Sequence, residues 1–222
     1  MRGQNSRHSV SAKARHKRIN LRLAQPREKI VKVLSATMLA LAVSAVMSTA
    51  VAEPLKLKPA SPQPSPQAGL DVKYAWLGNP PRKIQNLAKA ESLLKKAKSG
   101  PPLRGLDYRE TDDGDPVLTF GEAYNVAAEI TGYIRFDEPG IYELETWSND
   151  GIDAWVGGQQ FGYLNGRQPC AANQRTEVEV PQAGWYPLHI KYFQKYVGSC
   201  LMMKWGKSGE KLKWTPNNAF GR

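Results

Sequence analysis

The sequence has few of the residues and none of the motifs on which common enzyme sites depend. Only three of its 222 residues are histidine, and two of them, His8 and His16, lie near the amino terminus. It contains no G-x-S-x-G, no H-E-x-x-H and no glycine-rich phosphate loop. The third histidine, His189, alternates with apolar neighbours in a strand-like run, where it has no evident nucleophile to activate. These absences predict that the protein is not an enzyme.

Long apolar runs are also scarce. Only the stretch from Val33 to Ala52 is free of charge for long enough to matter, which excludes a polytopic membrane protein. Aromatic residues make up 9% of the chain, too many for a wholly disordered protein. The length suits one domain of ordinary size with additional segments.

The net charge of +11 is distributed unevenly. Residues 1–32 contain ten Lys or Arg and one acid, residues 53–106 contain ten and three, and residues 107–222 contain eleven and sixteen. A basic segment before an apolar run is typical of a targeting signal, because positive charge stays on the cytoplasmic side during insertion. This explanation is better than a nucleic-acid-binding tail, so no nucleic-acid partner is expected.

Residues 1–52 are predicted to be a basic leader and signal peptide. The apolar run ends in Ala50-Val51-Ala52, an A-x-A cleavage pattern, just before Glu53. The alternative is an uncleaved signal anchor, which would be the protein's only attachment to a membrane. Both interpretations place residues 53–222 beyond the inner membrane, in the periplasm or outside the cell.

The first two segments after the leader are predicted to be a linker and a helix. Residues 53–69 are rich in proline, which favours an extended, hydrated spacer, with a P-x-x-P recognition motif as the alternative. Residues 82–98 carry Ile84, Leu87, Ala88, Leu94 and Ala97 at helical spacing, with lysines between them. Such a helix would pack on the side of a β domain, or would offer a cationic face to an anionic envelope partner.

From about residue 107 the pattern predicts an antiparallel β-sandwich or barrel. Short alternating runs are separated by Gly, Pro, Asn or Asp, with no helical pattern between them. The runs are PVLTF, NVAAEITGYIRF, IYELETW, DAWVGG, TEVEV, YPLHIKYF and CLMMKW.

Three ordered stretches resemble the protective-antigen-type, or PA-fourteen, family. They are TGYIRFDEPG, then IYELETWSNDGIDAWVGG, and later PQAGWYPLHIKYF followed by CLMMKWGKSGE. The resemblance covers residues 70–222 and implies a mainly β fold with one N-terminal helix packed on it. It also implies carbohydrate binding, which is common among the secreted proteins that carry this domain.

The resemblance further implies a calcium site that grips sugar hydroxyls. In the sugar-binding relatives two consecutive aspartates hold the ion, whereas the matching residues here are Asn149 and Asp150. One carboxylate is therefore lost, and calcium affinity depends on carboxylate count, so weakly bound calcium or no cofactor is expected. The alternative is that Asn149, Asp150 and Gly151 only form a tight hairpin turn. Three aromatic residues near this turn are candidate sugar-stacking side chains, namely Trp147, Trp155 and Tyr163.

Cys170 and Cys200 are the only cysteines, and both lie in the part of the chain expected to be exported. An even number of cysteines in an oxidising compartment predicts one disulfide. A catalytic thiol is the alternative, but it would need a histidine nearby.

Taken together, these features predict an exported, non-catalytic binding domain for carbohydrate or a cell-envelope polymer. The alternative is a structural subunit of an envelope-spanning secretion or appendage assembly, in which other envelope proteins would be the partners. The absence of an attached enzyme module from the sequence favours this second function.

We expect the exported protein to begin near Glu53, because the small residues at Ala50 and Ala52 fit the active site of a signal peptidase. Amino-terminal sequencing of protein recovered from outside the inner membrane would test this. Recovery of Met1, or of a residue far from position 53, would contradict it.

Overall fold

The computed structural model describes residues 53–222, so the predicted signal peptide or anchor at residues 1–52 lies outside the described residues. The described residues form two packed sheets with one short α-helix on the side. The predicted mainly β sandwich with one helix packed on it is confirmed. Among residues 53–222, no helix combines the length and apolar character needed to cross a membrane.

The first sheet is six-stranded and mostly antiparallel, with the strand order β1-β9-β6-β11-β12 and β4 beside β11. The one parallel pair is that of β1 with β9. The strands are β1 (Leu55–Lys56), β4 (Asp107–Tyr108), β6 (Gly140–Asn149), β9 (Ala171–Val180), β11 (Cys200–Lys207) and β12 (Lys213–Trp214).

The second sheet is seven-stranded and antiparallel, with the order β3-β2-β5-β10-β7-β8 and β13 beside β5. Its longest pairing joins β5 and β10, whose register runs from Gly184 opposite Phe136 to Gln194 opposite Val126. The strands are β2 (Asp71–Trp76), β3 (Lys98–Ser99), β5 (Val126–Phe136), β7 (Ile152–Val156), β8 (Gln159–Leu164), β10 (Gly184–Gln194) and β13 (Phe220–Gly221).

The core lies between the two sheets because apolar side chains alternate along their strands. In β5, Ile130, Ile134 and Phe136 are buried, and the intervening positions are largely polar. Phe136 contacts the rings of Tyr142 and Tyr186 edge-on, with centroids 5.0 and 5.4 Å apart. This aromatic cluster joins the two sheets.

The predicted helix over residues 82–98 is much shorter in the structure, where α1 spans Leu87–Leu94. It begins late because the buried side chain of Asn125 holds the preceding segment extended. The Asn125 side-chain oxygen accepts a hydrogen bond from the Ile84 N–H at 3.1 Å, and its nitrogen donates to the Arg82 carbonyl at 2.8 Å. Asn86 then caps the first turn by accepting from the Lys89 N–H. Downstream of the helix, Lys98 and Ser99 pair with β2 instead of extending α1.

The prediction of a hydrated spacer over residues 53–69 is also wrong. Leu55 and Lys56 pair with β9, and Leu57 is only 1% exposed between the sheets. Ala60 donates its N–H to the Trp185 carbonyl, and Ala68 forms a bridge with Gly221. Proline is tolerated in this segment because the segment runs along the sheet edges. There most backbone N–H groups are not needed for hydrogen bonds between strands.

The run PVLTF, predicted as a strand, forms a turn. Leu118 has a φ of 56°, which a strand does not permit. The turn is held by Thr119, whose hydroxyl donates to the Pro101 carbonyl at 2.7 Å, and by Phe120, whose ring stacks on Tyr74. These contacts come from residues distant in sequence, so alternation alone could not reveal them.

Because Leu57 is buried and Leu55 is 36% exposed, substitutions at these two positions test whether this segment belongs to the domain. Leu57→Ala should lower the free energy of unfolding by about 2–4 kcal/mol, whereas Leu55→Ala should change it by less than about 0.5 kcal/mol. Urea denaturation of the two variants beside the unsubstituted protein measures both values. Equal, small effects would mean that residues 53–60 are detached from the domain in solution.

Candidate functional site

The turn Asn149-Asp150-Gly151 connects β6 in the first sheet to β7 in the second. The two strands do not pair with each other, so the alternative of a simple hairpin turn is wrong. The peptide bond between Asn149 and Asp150 is cis. Gly151 is required by close packing, because a Cβ at this position would lie 2.2 Å from Cε1 of Phe193. The turn is therefore a crossing between sheets that only glycine permits.

The backbone of this turn is held in place by hydrogen bonds within the protein. The Asp150 N–H donates to the Phe193 carbonyl at 3.1 Å, and the Phe193 N–H donates to the Gly151 carbonyl at 3.0 Å. The Ser148 hydroxyl donates to the Asp150 carbonyl at 2.6 Å, and the Tyr192 hydroxyl donates to that of Asn149. The backbone groups at these positions are thus engaged inside the domain.

The two side chains line a cleft of about 410 Å3. One oxygen of Asp150, Oδ2, accepts a hydrogen bond from the Lys195 N–H at 2.9 Å. Within the described residues, the Asn149 side chain makes no hydrogen bond, whereas the Asp150 carboxylate also interacts with the backbone N–H of Gln168. Both residues are largely buried, 7% and 5% exposed. The Asn149 amide, which has no partner in the protein, therefore lies beside a carboxylate that backbone N–H groups hold in place.

Opposing effects act on the pKa of the Asp150 carboxyl. Burial raises the pKa of the Asp150 carboxyl above its ordinary value, although hydrogen bonds from the Lys195 and Gln168 backbone N–H groups and the charge of Arg167 act in the opposite direction. The carboxylate therefore takes up a proton at a higher pH than an exposed aspartate does. A bound cation would stabilise the ionised form, and acid would weaken such binding.

The walls of the cleft come mainly from two loops that the sequence did not indicate, and Glu110, after β4, completes them. One loop precedes β9 and the other joins β10 to β11. The remaining lining residues are Glu110, Arg167, Gln168, Pro169, Tyr196 and Val197. The first loop is fixed by Gln168, whose amide donates to the Ser148 carbonyl at 3.1 Å and to Asn173 Oδ1 at 2.6 Å. In the second loop, Val197 is 60% exposed and has a φ of 68°, which is rare for a β-branched residue.

The predicted disulfide between Cys170 and Cys200 is present and anchors the first wall. Cys200 lies opposite Asn149 in the register of β11 and β6. The bridge therefore brings Cys170, and with it Pro169 and Gln168, beside the turn. This connection was the one signal in the sequence that could have identified the first wall.

The three candidate aromatic residues do not line this cleft. Trp147 lies on the outer face of the first sheet, where its indole N–H donates to Glu145 Oε1 at 2.7 Å and its ring packs edge-on against Trp214. Burial would raise the pKa of Glu145, but hydrogen bonds from Trp147 and Arg175 and the charge of Lys204 hold that pKa below its ordinary value. This part of the first sheet is an internally satisfied network.

Trp155 and Tyr163 lie together on the outer face of the second sheet, 38% and 45% exposed. The indole N–H of Trp155 donates to Asp153 Oδ1 at 2.6 Å, and Gln160 donates to the same oxygen at 2.8 Å. Trp155 stands four residues beyond Gly151, which places it about 13 Å along the strand. The structure thus brings together Asn149 and Asp150 but separates them from Trp147, Trp155 and Tyr163.

A family model for the PA14 domain matches residues 108–218, which is half of the chain. The chain therefore belongs to the PA14 domain family, and the predicted resemblance is confirmed. No curated protein matches the sequence.

Three solved structures show the same fold at low sequence identity. A PA14 sugar-binding domain from an RTX adhesin has a TM-score of 0.58 and 15% identity, over 69% of this chain and 98% of that chain. The PA14 domain of the MpAFP antifreeze protein has a TM-score of 0.59 and 12% identity, over 71% and 92%. The epithelial adhesin 9 A domain from Candida glabrata, in complex with Galb1-3GlcNAc, has a TM-score of 0.55 and 15% identity, over 76% and 95%.

Because the disulfide closes a loop of 30 residues and holds the first wall, its removal should have two effects. The double variant Cys170→Ser, Cys200→Ser should lose about 3 kcal/mol of unfolding free energy. Removal of the disulfide should also speed up hydrogen exchange at residues 167–169, and by a larger factor than in the sheets. Thermal denaturation and exchange mass spectrometry measure these effects, and unchanged exchange at residues 167–169 would show that the wall is held without the bridge.

Proposed function

We propose that residues 53–222 form an exported, non-catalytic domain that binds carbohydrate or a cell-envelope polymer. The observation that carries this proposal is the adjacent placement of the Asn149 amide and the Asp150 carboxylate, which line a cleft where the chain crosses between the two sheets. Sugar hydroxyls pair with such amide and carboxylate groups. Two of the similar structures are described as a sugar-binding domain and as a complex with Galb1-3GlcNAc, which supports carbohydrate as the ligand.

The same two side chains fit a weak calcium site only in part. Within residues 53–222, no group of three or more His, Cys, Asp or Glu side chains is arranged to hold a metal ion. Calcium takes six to eight oxygens, so Asn149 and Asp150 would supply the protein side-chain ligands, with water and sugar hydroxyls completing the shell. With a single carboxylate, we infer a dissociation constant of roughly 0.1–1 mM.

The alternative function, a structural subunit of an envelope assembly, has less support. A docked subunit would be expected to present a continuous apolar patch to its neighbours. Among the described residues, the large exposed hydrophobic side chains are few and lie on four different parts of the fold. They are Leu55 on β1, Trp76 on β2, Trp155 and Tyr163 on β7 and β8, and Val197 after β10.

Substitutions that change only the charge test the calcium site. Asp150→Asn should abolish calcium uptake and any calcium-dependent glycan binding, while its amide oxygen still accepts from the Lys195 N–H. Asn149→Asp should tighten calcium binding by about tenfold, because it restores a carboxylate pair. Isothermal titration with calcium, followed by glycan-array binding with and without the ion, measures both effects.

Asp153→Asn is the matched control, because Asp153 lies nearby in sequence but bonds to Trp155 and Gln160 on the outer face. It should leave calcium uptake unchanged. As the pH falls, calcium uptake should begin to weaken at a higher pH than it would with an exposed aspartate as the ligand. The reason is that the Asp150 carboxyl has a raised pKa, so it takes up a proton, and loses its charge, at a higher pH. Equal uptake by the unsubstituted protein and Asp150→Asn would rule out calcium at this turn.

A further inference from the structure

A second and larger cleft lies on the side of the domain, between α1 and the edge of the second sheet. Its volume is about 650 Å3, within the range of small-ligand sites. It is lined by residues of β2, β3 and the carboxyl-terminal half of α1, by Lys96 just after α1, by Gly100 just after β3, and by Phe120 from the turn before β5. It shares no lining residue with the cleft at Asn149 and Asp150.

The floor of this cleft is aromatic and closely packed. Tyr74 is 3% exposed, and its ring stacks on Phe120 with centroids 4.9 Å apart. Its hydroxyl bonds to the Thr119 hydroxyl at 2.8 Å, and burial raises the pKa of Tyr74 to about 12, so the phenol stays neutral. Gly100 allows the chain to pass over this ring, since a Cβ there would lie 2.5 Å from Cδ2 of Tyr74.

Trp76 provides an exposed aromatic surface beside this floor. It is 42% exposed, although its indole N–H is already used in a hydrogen bond to the Tyr124 carbonyl at 3.0 Å. That bond fixes the ring orientation without covering the ring. A held aromatic ring with an open surface is the feature on which a pyranose ring stacks, through its C–H groups.

The rim of the cleft carries two lysines whose charge is not neutralised by any acidic side chain in the lining. Lys96 and Lys98 line it, both are exposed, and no Asp or Glu lines it. Within the described residues neither lysine side chain forms an ion pair or a hydrogen bond, whereas the one acid of α1, Glu91, is paired with Lys191 at 2.7 Å. The hydroxyls of Ser92 and Ser99 also line the cleft and offer neutral polar contacts.

We propose that this cleft is a second carbohydrate site, which binds a saccharide carrying a carboxylate. The sugar ring stacks on Trp76, and the carboxylate pairs with Lys96 and Lys98. An acidic peptide fits less well, because the edge strand β3 has only two residues and is followed by Gly100-Pro101-Pro102, which cannot template an added strand. The site uses no group of the Asn149–Asp150 cleft, so it is independent of calcium and of the function proposed above.

Binding of tetragalacturonate, an acidic tetrasaccharide, by isothermal titration of the protein in the presence of a calcium chelator tests this proposal. The methyl-esterified tetrasaccharide has the same rings without the charge and should bind at least tenfold more weakly, because a charged hydrogen bond contributes about that factor. Lys96→Gln, Lys98→Gln should reduce binding of the acidic sugar by a similar factor. Trp76→Ala should reduce binding of both saccharides, and Asp150→Asn should change neither.

The matched control is Lys89→Gln, Lys95→Gln. It removes the same charge from the same segment, at exposed residues that do not line the cleft. Binding of tetragalacturonate by this control should equal that of the unsubstituted protein. If both double variants lost affinity for tetragalacturonate equally, the lysines would act only through general electrostatic attraction. That result would overturn the proposal. Equal binding of acid and ester, or no binding of either at several millimolar, would overturn it as well.

Discussion

The chain passes from one sheet to the other within Asp150 and Gly151, and the position of the candidate site depends on this crossing. A Cβ on Gly151 would overlap the ring of Phe193, so the backbone reaches β10 only because the residue is glycine. Because the turn lies this close to β10, its backbone groups form hydrogen bonds with β10 and with the side chain of Ser148. The side chains of Asn149 and Asp150 are then the groups left facing the cleft. Their position in the lining of the cleft is a consequence of how the two sheets are connected.

The crossing is also connected to the helix and to the second cleft. Phe193, which covers Gly151, packs against Ile84 in the small core beneath α1. The buried Asn125 bonds to the Ile84 N–H through its side chain and to the Lys195 carbonyl through its own N–H. The Lys195 N–H in turn donates to Asp150. The two clefts therefore have separate linings but share a buried support, in which each polar group has a partner inside the domain.

Alternation in the sequence was sufficient to predict most long strands, and the cysteine count was sufficient to predict the disulfide, because both are local or compositional signals. Alternation fixes the face of a strand on which a residue lies, but not the sheet to which the strand belongs. Trp147 and Trp155 flank the turn in sequence, yet β6 and β7 lie in different sheets, so the two rings occupy the outer faces of opposite sheets. The start of α1 could not be predicted either, because it is set by Asn125, about 40 residues further along the chain.

The charge asymmetry along the sequence has a structural counterpart in the two clefts. The cleft at Asn149 and Asp150 is formed entirely by residues after position 107, the acidic part of the chain, and it contains carboxylates and one arginine. The cleft beside α1 draws its cations from residues 53–106, the basic part, and has no acid in its lining. Folding places these parts on one domain without neutralising Lys96 and Lys98, since the acid nearest to them on α1 is bound to Lys191. One cleft thus combines acidic and basic side chains, and the other is lined by lysines without an acid.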